Sequence, residues 1–229
     1  MFSHHSLLAW LITGLVLSLQ PCRAQNAAEV SLRCISFPKS EEAVKVKLLV
    51  GEGKFLDIEA PSKWLSPPVR VAALGTWVVG ETANGPDGKP VFKEFGRATA
   101  PASPEQILIL VRKGKDNAAG FDLVALDARA SGFGAGHYLF MNAAKVDVAG
   151  VVGEEKFLVK PGQHMIIKPK IPNGEHTIHT ALYFRKGDDA KPFFSSEWRI
   201  SDDARNLIFF YHDPETTHIR LHAIKDYIP

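Results

Sequence analysis

The amino-acid sequence predicts an all-β protein made of two tandem antiparallel β-sandwich domains that are related by internal duplication. Three observations support this fold class. Apolar residues alternate with polar ones over many short segments, turn-forming residues recur roughly every 8–12 positions, and one order of segments occurs twice. This rhythm of short strands and regular turns is typical of sandwiches and barrels.

The clearest strand pattern lies early in the chain. Val44, Val46 and Leu48 alternate with lysines, as expected for a strand with one buried face. Residues 50–54 (VGEGK) then predict a hairpin turn into a second strand at 55–59. Two runs, ILILV at 107–111 and LIFFY at 207–211, are apolar at every position and therefore predict central strands covered on both faces.

The internal repeat is the most informative pattern. Residues 50–56 (VGEGKFL) match residues 152–158 (VGEEKFL) at six of seven positions. Three further segment pairs follow in the same order: 89–92 with 191–194, 106–111 with 206–211, and 121–126 with 219–224. Their offsets differ only by a few residues, as loops of unequal length would cause, so the sequence predicts two copies of one unit.

The repeat sets the predicted boundaries. The first sandwich is expected at 30–128, a Gly-rich linker with little to bury at 129–136, and the second sandwich at 137–229. An immunoglobulin-like arrangement is the first choice for each unit, with Trp77 or Trp198 in the core. Residues 103–106 (SPEQ) carry an N-cap signal and predict a single helical turn before the strand that follows.

The first 24 residues predict a signal peptide. Residues 7–19 are uncharged and apolar but too short to span a bilayer, and the small residues Cys22 and Ala24 suit cleavage after Ala24. The leading segment has no Lys or Arg, so retention as an anchor stays an alternative. We expect an exported protein, periplasmic or extracellular, with no stable membrane span after cleavage. Cys34 would then be the single cysteine, as a small buried apolar residue or a reactive thiol.

Composition and motifs restrict the function classes. Loss of Arg23 with the leader leaves 26 basic and 25 acidic residues, a net charge of +1 without a basic cluster, which argues against nucleic-acid binding. No nucleophile elbow, phosphate-binding loop or zinc-protease helix is present in the sequence. We therefore expect no enzyme activity, no catalytic residues and no cofactor.

Metal and carboxylate sites are also weakly supported by the sequence. His176 and His179 lie on opposite faces of a strand, and His218 and His222 would be about 13 Å apart on an extended strand. The adjacent acids at 188–189 and 202–203 lie in turn contexts, where they serve as turn formers. No metal site is therefore predicted, although a metal-dependent or hydrolytic enzyme of unfamiliar design stays a minor alternative.

The remaining hypotheses concern binding. The first is a structural or protein-interaction module of the cell envelope or extracellular space, whose partner would be an envelope or extracellular protein. The second is a carbohydrate- or small-ligand-binding module, in which Trp64 and its neighbour Lys63 lie in a Pro-rich loop and the indole stacks on a sugar ring. Packing of Trp64 against its own sandwich is the structural alternative.

Overall fold

The computed structural model describes residues 28–113, 120–171, 175–186, 189–213, 216 and 218–228. The predicted signal peptide lies outside the described residues, as does Asp188 of the acidic pair at 188–189. Among the described residues, no helix has the length and apolar character needed to cross a membrane. Apart from one short helix, the regular secondary structure of the described residues is all strand, which confirms the all-β prediction.

In the described part of the first unit, eight strands form two four-stranded sheets. Their bounds are β1 Glu29–Phe37, β2 Val44–Gly51, β3 Lys54–Ala60, β4 Val69–Ala72, β5 Thr76–Asn84, β6 Pro90–Thr99, β7 Glu105–Arg112 and β8 Phe121–Asp127. One sheet has the order β4-β1-β7-β8 and the other has the order β3-β2-β5-β6.

The second unit repeats this arrangement after one short helix, α1 (Ala130–Phe133). Its strands are β9 Tyr138–Asn142, β10 Val148–Val152, β11 Glu155–Val159, β12 His164–Ile167, β13 Thr177–Lys186, β14 Asp189–Arg199, β15 Ala204–His212 and β16 Ile219–Tyr227. Its sheets have the orders β12-β9-β15-β16 and β11-β10-β13-β14, which are the orders of the first unit shifted by eight strands.

The matching strand orders confirm two tandem β-sandwiches of one design. Pairing is antiparallel except that β1 runs parallel to β7 and β9 parallel to β15. The order differs from that of immunoglobulin domains, where the first, second, fifth and fourth strands share a sheet. Here the first and second strands lie in different sheets, because the first strand pairs with the seventh.

Three apolar clusters organise the described chain. One lies between the two sheets of the first unit and one between those of the second unit. The third joins the units, since it contains side chains from β1, β7, β9 and β15 on the faces that point away from their own cores. We call the sheets that contribute to this third cluster the inner sheets, the other two the outer sheets, and the cluster itself the seam.

The seam explains the two continuously apolar runs. In β7, Leu108 and Leu110 enter the first core while Ile107 and Ile109 enter the seam. The run in β15 divides in the same way between the second core and the seam. Both faces of each strand are thus covered, as the sequence predicted. One face packs in the core of its own unit, and the other packs against the second unit in the seam.

A buried ionic network closes one end of the seam. The carboxylate of Asp226 accepts a hydrogen bond from Arg205 Nε at 2.9 Å and bonds from Arg33 Nη1 at 2.8 and 3.0 Å. Arg205 also donates to the carbonyl oxygens of Ala128 and Phe133, at 2.7 and 2.6 Å. Because Arg33 belongs to the first unit and Asp226 to the second, the network ties the units together.

The segment between the units is not the exposed linker that the sequence suggested. Phe133, in α1, is fully buried in the seam, and the Arg205 guanidinium lies 4.9 Å from the centre of its ring. The expectation that 129–136 buries little is therefore wrong. The segment joins β8 to β9, and Phe133 attaches it to the seam.

The predicted helical turn before β7 is also wrong. β7 already begins at Glu105, which pairs with Ser31 of β1, so residues 103–106 form no helical turn. Gln106 donates through Nε2 to the carbonyl oxygens of Pro101 and Ser103, both at 2.8 Å. The Gln106 Oε1 in turn accepts the indole N–H of Trp77 at 2.7 Å. Trp77 is fully buried in the first core, while Trp198 is half-buried and stacks on Tyr138.

The two repeated hairpins differ in register although six of seven residues match. In the first unit the turn residues are Glu52 and Gly53, and Gly53 has a φ of +62°. In the second unit Glu155 replaces that glycine, and the positive φ of +61° moves to Gly153, so the turn shifts by one residue. A one-residue shift reverses the faces of the strand that follows.

The reversed faces separate two equivalent phenylalanines. Phe157 points into the second core, where its ring lies 4.3 Å from that of Phe140. Phe55 pairs opposite Leu49 on the outer surface of the first unit and stacks on Phe92 at 4.7 Å. The Gly-to-Glu difference thus leaves Phe55 on the outer surface of the first unit, whereas Phe157 lies in the second core.

The ionic network predicts a large and specific loss of stability in Asp226→Ala. This substitution leaves two guanidinium groups without their shared carboxylate, and we expect it to lower the free energy of unfolding by about 3–5 kcal/mol. Urea denaturation of the chain from Gln25 provides the measurement. The control is Asp57→Ala, which breaks the exposed Lys47 pair and should cost less than about 1 kcal/mol. Equal losses in the two variants would contradict the role given to Asp226.

The two hairpins provide a second, matched pair of substitutions. At Gly53 an added Cβ has no atom within 4 Å, so Gly53→Ala should cost only the left-handed backbone conformation, about 1–2 kcal/mol. At Gly153 the Cβ would lie 2.8 Å from Cδ1 of Ile178, which should add about 1–3 kcal/mol of overpacking to the same backbone cost. Urea denaturation should rank Gly153→Ala as the less stable variant, and the reverse order would disprove the assigned register.

Candidate binding sites at the junction of the two units

The loop of residues 61–68, here the Trp64 loop, connects β3 to β4 and lies along β1. The amide of Ser36 donates to the carbonyl oxygen of Pro61 at 2.8 Å. The amide of Ser66 donates to the carbonyl of Cys34 at 2.9 Å, and the Cys34 amide donates to the Ser66 hydroxyl at 2.8 Å. The loop is therefore fixed to the first unit at both of its ends.

The second unit contacts the same loop from the opposite side. Leu65 is buried in the seam, and a ring nitrogen of His222 lies 3.2 Å from the carbonyl oxygen of Ser62. Trp64, between these two positions, is 58% exposed. Leu65, rather than Trp64, packs the loop against the sandwiches, and the indole is presented to solvent on a loop that both units hold.

Lys63 lies beside the indole and forms an ion pair. Its ammonium is 2.9 Å from Oε2 of Glu41, and this hydrogen bond lowers the pKa of the Glu41 carboxyl. A pocket of about 200 Å³ opens at this position. Ser40, Glu41, Ala43, Glu59, Pro61, Ser62, Lys63, Trp64, Ser66 and Pro67 line it.

The pocket combines an aromatic face with hydrogen-bonding groups of both kinds. An exposed indole offers a large apolar surface with little conformational freedom to lose on binding. The carboxylates of Glu41 and Glu59 accept hydrogen bonds, and the Lys63 ammonium donates them. The structure therefore places the two predicted site residues, Trp64 and Lys63, in one pocket with acceptors that the sequence did not single out.

A second, larger cavity lies at the end of the seam, and none of the sequence-based predictions included it. This interdomain cleft has a volume of about 600 Å³. Ser31, Arg33, Pro68, Glu105, Gln106, Ala128, Ala130, Arg205, Asp226, Tyr227 and Ile228 line it. The one available signal was an arginine at position 33 between Leu32 and Cys34, on the strand face that other residues use for the seam.

The histidines and paired acids do not converge. His179 contacts Glu197 at 2.9 Å on an exposed strand pair, while His222 contacts the Trp64 loop. Asp203 accepts a hydrogen bond from the Ser201 hydroxyl, as expected of an acid in a turn. Across the part of the chain that the structure describes, no three His, Cys, Asp or Glu side chains are grouped closely enough to hold a metal ion.

Cys34 is a buried residue of the first core, as the alternation predicted. Burial raises the pKa of its thiol to about 12, so the thiol stays protonated at neutral pH. Since the thiolate is the reactive form, this environment disfavours nucleophilic or redox chemistry at Cys34.

Neither the comparison with protein-family models nor that with curated proteins gives a match for this sequence.

Proposed function

We propose that this chain is an exported, non-enzymatic structural or protein-interaction module that acts in the cell envelope or extracellular space after cleavage near Ala24. The observation that carries the proposal is the exposed Trp64 on a loop held by both units. Tryptophan is among the residues that contribute most to binding energy in protein interfaces. A loop that is already fixed loses little conformational entropy when a partner binds.

The seam adds to this proposal. Because the inner sheets share a buried apolar cluster and an ionic network, the two units present one continuous surface of fixed geometry. The mechanism proposed is therefore contact through shape and an aromatic anchor at the junction, rather than independent binding by two flexibly linked domains.

Site-specific photo-crosslinking in the native envelope tests the protein-interaction proposal. A benzoylphenylalanine in place of Trp64 should form one reproducible adduct with an envelope or extracellular protein. The control is the same residue in place of Leu158, which is 42% exposed on the outer sheet of the second unit. The Trp64 adduct should be competed by unlabelled wild-type protein and not by Trp64→Ala, a variant that should keep wild-type stability because the side chain is exposed.

Two outcomes of the crosslinking experiment would contradict the protein-interaction proposal. The same adducts at both positions would show non-specific contact, and an absence of protein adducts at position 64 would reject the loop as a protein-binding site.

A carbohydrate- or small-ligand-binding module is the second candidate, favoured by the polar lining of the pocket beside Trp64. A sugar ring presents an apolar face to an indole and hydroxyl groups at its edge. The carboxylates of Glu41 and Glu59 and the Lys63 ammonium supply acceptors and donors for such hydroxyls. The ion pair between Lys63 and Glu41 leaves the pocket without a strong net charge, which suits an uncharged glycan.

Iodide quenching of tryptophan fluorescence tests this candidate. In the chain from Gln25, Trp64 is exposed, Trp198 is half-buried and Trp77 is fully buried, so iodide should quench Trp64 most strongly. Chitohexaose should reduce this quenching in the wild-type protein and have no effect in Trp64→Ala, while Tyr227→Ala, an exposed aromatic outside the pocket, should behave as wild type. Unchanged quenching with chitohexaose, laminarin and soluble peptidoglycan fragments would reject carbohydrate binding at this pocket.

A further inference from the structure

The interdomain cleft has a floor on the inner sheet of the first unit. Ser31 pairs in register with Glu105 where β1 and β7 run parallel, and Arg33 lies two residues further along β1. Residues two apart on a strand share a face, so Ser31, Arg33 and Glu105 lie on the same side of the sheet. From strand spacing and rise, the Cα atoms of Arg33 and Glu105 are about 8 Å apart.

The two charged residues on the floor of the cleft, Arg33 and Glu105, differ in their hydrogen bonding. Arg33 donates to Asp226 and to the carbonyl of Ser66, yet its side chain is 27% exposed. Glu105 is exposed and lines the cleft. Among the described residues none lies within hydrogen-bonding or ion-pair distance of its carboxylate, although its charge interacts at longer range with Arg129 and Arg205. A cation and an anion thus lie along one cleft without pairing with each other.

The charge balance of the cleft restricts its ligand. Arg33 and Arg205 carry two positive charges, and Asp226 and Glu105 carry two negative ones. A simple anion would be repelled by Glu105 and a simple cation by the arginines, since like charges repel. A ligand with one group of each sign can meet both floor residues and keep the balance.

The walls and volume set the size and polarity of such a ligand. The cleft volume of about 600 Å³ lies within the range of small-molecule sites, which often form between domains. Tyr227, 63% exposed, stands on one wall with Ile228, and Pro68 stands on another, so the walls offer apolar and aromatic surface to a side chain.

From this arrangement we propose that the interdomain cleft binds a small zwitterion, a free amino acid or a dipeptide, with its ammonium group at Glu105 and its carboxylate at Arg33. An ammonium donates to a carboxylate acceptor, and the guanidinium of arginine is suited to carboxylates. The site is distinct from the pocket at Trp64, and the proposal does not depend on either function suggested for that loop.

Isothermal titration calorimetry on the chain from Gln25 tests the proposal. The probes are the twenty amino acids, the dipeptide alanyl-phenylalanine, and its N-acetyl and C-amide forms. We expect saturable binding of at least one amino acid or of the free dipeptide, and at least about tenfold weaker binding of the corresponding N-acetyl and C-amide forms, a loss of about 1.4 kcal/mol each.

The variant Glu105→Gln distinguishes recognition of the ligand's ammonium group from a general loss of binding. It should weaken the free zwitterion about tenfold or more and leave the affinity for the N-acetyl form unchanged. The matched control Glu59→Gln removes an exposed carboxylate at the Trp64 pocket and should bind as wild type, as should Trp64→Ala. Arg33 is not the residue of choice, because its substitution would also disrupt the Asp226 network.

Two results would overturn the proposal. One is the absence of saturable binding by every probe at millimolar concentration. The other is an equal loss of affinity for free and N-acetyl forms in Glu105→Gln, since the side chain would then not recognise the ammonium. If Trp64→Ala still binds the zwitterion, the cleft is a separate site, and a failure of the functions proposed for the Trp64 loop would not affect it.

Discussion

The inner sheets carry apolar side chains on both of their faces, and this constraint determines the arrangement of the rest of the molecule. If the two units were apart, β7 would expose Ile107 and Ile109, and β15 would expose Leu207 and Phe209. Burial of such side chains is the main favourable contribution to folding. The seam is therefore a third core of the protein, comparable to those inside each sandwich, and the units depend on each other for solubility as well as stability.

The polar network gives the seam its orientation. Apolar contact is non-directional, whereas the two arginines must approach Asp226 with defined geometry to offset the cost of leaving water. Burial lowers the pKa of Arg205, and the Asp226 carboxylate opposes that effect. The same network holds the C-terminal strand against the first unit, which places Tyr227 at the edge of the cleft and His222 against the Trp64 loop.

Much of this fold could be predicted because its signals are local and repeated. Alternation identified the strands, the repeat identified two units, and the apolar runs identified the central strands. The prediction did not include the strand order, since the pairing of β1 with β7 joins segments about 74 residues apart. The linker prediction was wrong for Phe133 because glycine content indicates backbone freedom and says nothing of a single aromatic residue among the glycines.

The candidate sites, too, could be predicted from the sequence only where the signal was local. Trp64 could be selected because Pro-rich context is a local signal, and the structure places its ring in solvent. The cleft could not, since Arg33 and Asp226 are 193 residues apart and neither belongs to a recognisable motif. The outward position of Phe55 was not predicted, because the repeat suggested equivalence with Phe157, whereas one Gly-to-Glu difference reverses the faces of the two strands.

The duplication also explains why both candidate sites lie where they do. In the second unit the connection equivalent to the Trp64 loop is only residues 160–163, so the longer loop is a feature of the first copy. That loop reaches across the seam and is held there by Leu65 and His222. The interdomain cleft likewise needs a floor from the first unit and walls from the second. A single copy of the sandwich would have neither site in its present form, and the junction is therefore the part of this molecule in which two similar units create a surface that one unit lacks.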